Sequence, residues 1–461
     1  MKANLILCSM LAASSAFGAV LDNSWVKGVT DKDPITYKVG EPMKITLTFE
    51  GLAGAVPEGE YFLDWKRTGD DGVSDAGKIP FTGKPFAYET KIDRPGFVRL
   101  QAYVVDKAGK HYQKVFCGDK DTPEGRRAFN EFERLRTKEV FFDGGWGAEI
   151  EKLEPHPEPK DFDAFWKGQF ARLDRVPMKA DTIEIPCENP AAKLYAVRVD
   201  CAGLRPVTGY LSVPVAVASG KTFPARLTTH GYNNDDCNHP TPKTAKSDEI
   251  VLDINAHGLK LVEFGATEAD RKALRWEVRS HDRTYAFDVQ QNADAETAYF
   301  NGMVLRVKRA LQYLKTVKGW NGKDLIASGW SQGGLQTMWA AGCGEGVTVA
   351  ESGITWCCDL YMSGNLRLDT KLNLSREWWT IRWTEALDYY DAVYWARRVP
   401  KSCFTSILRA GIGDYTCPPT GLAKLYNAIP GPKRILWMQG SEHGYQPPVA
   451  YEGRDFVREA K

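Results

Sequence analysis

The stretch GWSQGG, residues 329–334, stands between an apolar run, DLIAS (residues 324–328), and an apolar, helix-like run, LQTMWAAG (residues 335–342). A serine set among glycines where a strand hands over to a helix predicts a sharp turn that holds the Ser331 hydroxyl away from the backbone, where a substrate can reach it. A glycine-rich turn with an incidental serine has the same local sequence. The surrounding chain separates the two.

Outward from this turn, AKLYAVRVD (192–200), GYLSVPVAV (209–217) and ARLTTHG (225–231) read as strands. Residues 295–317 carry Phe300, Met303, Val307, Leu311 and Leu314 at helical spacing, and TSILRAGIGD (405–414) and RILWMQGSEH (434–443) each read as a strand running into a loop. Strands alternating with helices predict an α/β fold, a mostly parallel sheet flanked by helices, whose functional groups gather at the carboxyl ends of strands. Three of those ends carry a serine, an aspartate and a histidine.

A serine hydroxyl is a poor nucleophile at neutral pH unless a base removes its proton, and the base needs an acid to orient it. Ser331, Asp414 and His443 each follow an expected strand, in that chain order. Alone, Asp414 reads as a turn residue, His443 as a satisfied surface histidine and Ser331 as a glycine-turn serine; together they read as a catalytic triad. Attack on a carbonyl creates an oxyanion that needs donors already in place. The backbone amide of Gln332 is one candidate and that of Tyr232, in TTHGYNNDD (228–236), is the other, because Gly231 lets the backbone approach a substrate closely. His230 reads as a structural hydrogen-bonding residue beneath that loop.

The 461 residues suggest two folded units, and 60 Lys and Arg against 59 Asp and Glu leave nothing to attract nucleic acid or an anionic membrane. Residues 1–18 join a lysine, a short apolar stretch and small residues, the pattern of a secretory signal peptide, so a secreted or periplasmic protein without membrane insertion is expected. The ten cysteines include no CxxC pair, which argues against a structural zinc site. From residue 19 to 118, MKITLTFE (43–50) and FVRLQAYVVD (97–106) alternate apolar with polar between Gly, Pro and Asp clusters, predicting an N-terminal immunoglobulin-like β-sandwich with no recognisable chemistry. Residues 119–180 read as a linker ending in a packing helix, with Phe162, Phe165, Trp166, Phe170 and Leu173 on one side, and residues 181–461 as the catalytic domain.

With these residues in place, residues 161–443 resemble the acetylxylan esterase and cephalosporin C deacetylase family, carbohydrate esterases of the alpha/beta-hydrolase fold. The matching stretches are DFDAFW (161–166), HGYN (230–233), GWSQGG, LDYYDAVYWA (387–396), GIGDYTCPP (411–419), LYNAIPGPK (425–433) and SEH (441–443). The resemblance implies serine-dependent deacetylation of sugar hydroxyls with no metal or organic cofactor. It implies Ser331, Asp414 and His443 as triad, Tyr232 and Gln332 as oxyanion donors, and an acetylated carbohydrate as partner. Members are often hexameric, which brings a homo-oligomer into view, although an added N-terminal domain could obstruct that assembly. The family's usual Arg-Gly-Gln tripeptide is missing here, its region (252–287) being rewritten, and Gly444 follows the histidine where Glu is usual.

The aromatic-rich run REWWTIRWTEALDYYDAVYW (376–395) reads mostly as core, with Trp378 and Trp379 as candidate sugar-stacking platforms. Two rival functions are carried. A serine peptidase of the prolyl oligopeptidase type shares GxSxGG but needs propeller repeats, which are not seen. A carbohydrate-binding protein that keeps a hydrolase scaffold without catalysis is the other.

Overall fold

The computed structural model describes residues 24–52, 56, 59–114, 116, 118–133, 138–232, 245–280, 283–361, 381–449 and 451–461. The expected signal segment and Trp378 and Trp379 lie outside the described residues. The chain divides into two compact units: Met1–Leu153 with Ala410–Thr420 and Trp437–Phe456, and Glu154–Arg409 with Gly421–Leu436 and Val457–Lys461.

In the first unit, β1 (Trp25–Thr30), β2 (Met43–Glu50) and β5 (Phe86–Thr90) form one antiparallel sheet. A second sheet holds β3 (Tyr61–Gly69), β4 (Asp75–Pro80), β6 (Gly96–Asp106) and β7 (Phe141–Ala148) in the order β4-β3-β6-β7, again antiparallel. The period-two reading of β2 is realised in its burial: Met43, Ile45, Leu47 and Phe49 point inward. They share one core with Leu63, Val98, Leu100, Val104, Phe142 and Trp146 from the other sheet.

The stretch 119–180 contains more than a connector. It holds helix α1 (Pro123–Glu133), strand β7 and helix α2 (Phe162–Asp174). Strand β7 hydrogen-bonds along β6 from Gly96↔Ala148 to Tyr103↔Phe141, so the small sheets continue well past residue 118. Its sequence, FFDGGWGA, is buried at every position and lacks the alternation that marks a half-exposed strand. In α2, Phe162, Trp166 and Leu173 are buried as the amphipathic pattern requires.

The large sheet has ten strands: β8 (Ala180–Ile185), β9 (Ala192–Val199), β10 (Val207–Pro214), β11 (Phe223–Thr229), β12 (Ile250–Ile254), β15 (Trp320–Trp330), β16 (Val349–Gly353), β17 (Phe404–Gly411), β18 (Lys433–Met438) and β19 (Asp455–Ala460). Their order is β19-β18-β17-β16-β15-β11-β12-β10-β9-β8, and β13 (Arg279–Ser280) with β14 (Arg283–Thr284) makes a separate small pair. From β12 through β11, β15 and β16 to β17 the pairing is parallel, whereas β8, β9, β10 and β12 pair antiparallel. The sheet is therefore mixed rather than mostly parallel at that edge. The links from β8 to β9 and from β9 to β10 are too short for a crossover helix, and short links favour antiparallel neighbours.

Among the helices, α3 (Glu268–Glu277) starts with a capping box in which Thr267 and Asp270 satisfy each other's backbone amides. Helix α4 (Tyr299–Leu314) buries Phe300, Met303, Val307, Leu311 and Leu314, and α5 (Gln332–Gly342) is buried from Gln332 to Ala341. Helices α6 (Ala392–Ala396) and α7 (Pro419–Ala428) follow later in the chain. In α6, Tyr394 and Trp395 are core residues, as is Tyr390 just before it. No helix among the described residues is long and apolar enough to cross a membrane.

Candidate active site

Ser331 sits between the last residue of β15 and the first of α5, with φ 58° and ψ −117°. A residue bearing a side chain adopts this conformation only when its surroundings enforce it. The enforcement is visible in the backbone. Ser331 N–H donates to the Gly353 carbonyl at 2.8 Å, and its own carbonyl accepts from Trp356 N–H and Leu335 N–H, both at 3.1 Å.

The glycines are there for space. A Cβ on Gly329 would lie 2.4 Å from Thr229 Oγ1 and 2.5 Å from the Gly333 carbonyl; one on Gly333 would lie 2.4 Å from the Thr229 carbonyl. Thr229 Oγ1 in turn donates to the Gly333 carbonyl at 2.9 Å. The turn closes only if strand end and helix start touch. Gly329→Ala is therefore expected to cost about 1–3 kcal/mol of stability or more, read as a lower denaturant midpoint; a midpoint equal to the parent's would contradict this packing.

The loop after β11 lies beside the turn. A Cβ on Gly231 would be 3.5 Å from the Trp330 carbonyl and 4.0 Å from Ser331 Cβ. Gln336 Nε2 donates to the His230 carbonyl at 3.2 Å. The Tyr232 ring packs against Tyr285, Phe287 and Trp356, with centroids 5.2, 5.8 and 5.2 Å away. Tyr285 comes from the rewritten stretch, and its hydroxyl donates to Gln332 Oε1. Where the tripeptide is missing, a buried tyrosine thus holds the residue that follows the serine.

His230 has two backbone partners: Nδ1 lies 2.7 Å from the Gly231 carbonyl and Nε2 accepts from Ala256 N–H at 2.9 Å. This pattern requires the neutral ring protonated on Nδ1. Burial holds its pKa below the ordinary 6.5, against a smaller opposing effect of the Gly231 carbonyl. In the unfolded chain the ring binds a proton below about 6.5, whereas the folded chain does so only at lower pH, so the stability it contributes is lost as pH falls through that window. We expect the denaturant midpoint to drop from pH 7 to about pH 5, and to drop less in His230→Gln; equal slopes in both proteins would contradict this role.

In the first unit, Asp414 and His443 are joined. His443 Nδ1 is 2.9 Å from Asp414 Oδ2, and Asp414 Oδ1 accepts from Thr416 N–H at 3.0 Å and Cys417 N–H at 2.9 Å. The carboxylate is fully buried while the imidazole is a quarter exposed. Backbone bonds tie the two loops together: Gly413 N–H donates to the Ser441 carbonyl at 3.0 Å, and Ile412 N–H to the Met438 carbonyl at 3.0 Å. Around the imidazole, Glu442 and Tyr445 bond to each other's backbone at 3.1 and 3.3 Å, making a tight turn at His443 and Gly444.

Donor atoms of Asp414, Cys417 and His443 lie within 4.8 Å of one another, a spacing that could hold a metal ion. The carboxylate is already engaged by the imidazole and two amides, an arrangement that orients a histidine. The structure thus pairs Asp414 with His443 and gathers Ser331, Gln332, Gly231 and His230. Sequence reasoning missed a set of residues beneath Asp414 and His443, namely Arg99, Asp143, Gly144, Gly145 and Gln439. The signal for them was the Asp-Gly-Gly run inside an apolar strand, which is unfavourable in a strand unless another backbone approaches it.

The profile of the family described as Acetyl xylan esterase (AXE1) matches residues 149–457. The acetyl esterase Axe7A of Xylanibacter ruminicola is 26% identical over 309 residues, which are 64% of this chain and 66% of that protein, so the match spans just under two thirds of the relative. Among solved structures, an acetyl xylan esterase from Paenibacillus sp. R4 superposes with TM-score 0.51 at 20% identity, covering 65% of this chain and 94% of that one. Acetyl xylan esterase 1 from Thermoanaerobacterium sp. JW/SL YS485 gives 0.50 at 17%, covering 66% and 94%. At those identities the two structures bear on the fold, which is of the alpha/beta-hydrolase type.

Proposed function

This chain belongs to the acetyl xylan esterase family, and on that premise we propose that it removes O-acetyl groups from carbohydrate through an acyl-enzyme. In the proposed reaction Ser331 Oγ attacks the acetyl carbonyl while His443 Nε2 takes its proton. Asp414, bonded to Nδ1, fixes the tautomer that leaves Nε2 able to accept and stabilises the imidazolium. The oxyanion is met by the backbone amides of Gln332 and Tyr232. The carbonyl re-forms, the sugar oxygen leaves with the proton from His443, and the acetyl group stays on Ser331. Water, deprotonated by the same histidine, then attacks the ester; the proton passes from His443 to the departing Ser331 Oγ as acetate is released.

The observation that carries this reading is the buried Asp414 carboxylate held by two amides and bonded to the partly exposed His443 ring at 2.9 Å. The backbone of Ser331 supports it from the other side of the reaction. Convergence of the Ser331 hydroxyl on His443 is part of the proposal.

We read the two small sheets of the first unit as an immunoglobulin-like sandwich, supported by their shared core and antiparallel pairing. A secreted or periplasmic location is likewise a proposal, supported by the composition of residues 1–18. The test of function is acetate release from acetylated xylan and its oligosaccharides beside hydrolysis of a proline-containing peptide ester. Acetate from the glycan with an inert peptide ester is expected; the reverse would replace this reading with a peptidase.

A further inference from the structure

Strand β7 of the first unit lies against both loops that carry the acid–base pair. Gln439, which is 1% exposed and four residues before His443, clasps one residue of that strand through both of its backbone polar groups. Its Oε1 accepts from Gly145 N–H at 2.9 Å and its Nε2 donates to the Gly145 carbonyl at 2.8 Å. The same Oε1 accepts from Gly440 N–H at 3.2 Å, so the clasp also fixes the start of the histidine loop. Space for the amide exists because position 144 is glycine: a Cβ there would lie 2.2 Å from Gln439 Oε1.

The aspartate loop rests on the neighbouring residue of the same strand. A Cβ on Gly413 would lie 2.0 Å from the Asp143 carbonyl. The Asp143 side chain is fully buried and holds Arg99 through two bonds, Nε to Oδ1 at 2.8 Å and Nη2 to Oδ2 at 2.6 Å, with Gln101 Nε2 at 3.2 Å as a third donor. The Arg99 guanidinium lies 4.1 Å from the ring centre of Tyr415, the residue after Asp414. At the far ends of the loops, Thr420 Oγ1 donates to Asp70 Oδ2 at 2.6 Å and the Tyr445 ring packs on Phe141 at 5.1 Å.

A buried ion pair and a two-point amide clasp make stiff supports, because breaking either strands polar groups away from water. We propose that the N-terminal sheet is a positioning element for the esterase reaction, with Gln439 clasped on Gly145 and Tyr415 stacked on Arg99 setting the His443–Asp414 geometry. This rests on the reading of Asp414 and His443 as the catalytic acid–base pair. The expectation of an N-terminal domain without chemistry then becomes one of a domain whose chemistry is indirect.

The test uses the full chain with Gln439→Met, which keeps the side-chain volume and removes both amide bonds, and Tyr415→Leu, which removes the stacking and keeps the inference testable if the first variant does not fold. Turnover of an aryl acetate is measured per active site counted by phosphonate labelling, with kcat and KM separated. We expect kcat to fall about tenfold to a hundredfold with KM unchanged. Tyr451→Phe, which removes the hydroxyl's bonds to Gly28 in the same unit, should lower the melting temperature and leave kcat at the parent's value. A folded Gln439→Met or Tyr415→Leu with a lower melting temperature but parental kcat would overturn the inference, as would a kcat that falls equally in Tyr451→Phe. His443→Ala separates the levels: a dead His443→Ala beside an unaffected Gln439→Met removes the positioning role alone, whereas an active His443→Ala removes the acid–base reading beneath it.

Discussion

Ser331→Ala is expected to lower kcat for acetate release by about ten thousand- to a million-fold, with the melting temperature close to the parent's. The size of the effect follows from covalent catalysis: with no hydroxyl there is no acyl-enzyme, and the remaining machinery can only assist direct attack by water. Fold preservation follows from the backbone. Alanine keeps the Cβ, so it meets the same demand at φ 58° that serine meets, and the bonds holding the turn are made by backbone atoms, Ser331 N–H to Gly353 and the Ser331 carbonyl to Trp356 and Leu335. Loss of less than about tenfold in a folded variant would mean that another group forms the intermediate.

Asp414→Asn should cost about ten-thousand-fold in kcat through a proton placed on the wrong nitrogen. The two backbone amides of Thr416 and Cys417 select for an oxygen at their side of residue 414. The asparagine amide would therefore face His443 Nδ1 with its NH2 group and donate to it. The ring proton is then driven to Nε2, and that nitrogen can no longer accept from Ser331. Kinetics on an aryl acetate at neutral pH check this; a variant with kcat within tenfold of the parent would show that Asp414 does not set the tautomer.

The parts of the molecule that were readable in advance are those in which a local pattern and its tertiary role coincide. Strand β2 announces itself because one face is buried and the other wet, so burial alternates along MKITLTFE. Helix α4 does so because its core face recurs at helical spacing. The serine turn and the Asp414 and His443 loops are marked by glycines and polar residues at strand ends, where the packing of an α/β sheet leaves room for chemistry. Strand β7 follows neither rule. It is covered on both faces, so its eight residues show no period, and its glycines at 144 and 145 make room for a side chain from residue 439, almost three hundred positions away. Such partners are fixed by tertiary packing, and no window of sequence contains them. The antiparallel edge of the large sheet was missed for a related reason, since strand direction there is set by the lengths of two links and not by the strands themselves.

Peptide-mapped labelling by an organophosphonate ester decides whether Ser331 is the nucleophile, because the reagent is captured only by a serine that is activated as a nucleophile. One adduct per chain is expected on the peptide containing Ser331, formed at a rate that collapses in His443→Ala and falls in step with acetate release. An enzyme that goes on releasing acetate at its full rate while Ser331 stays unlabelled, or one labelled at a different residue, would contradict that role for Ser331.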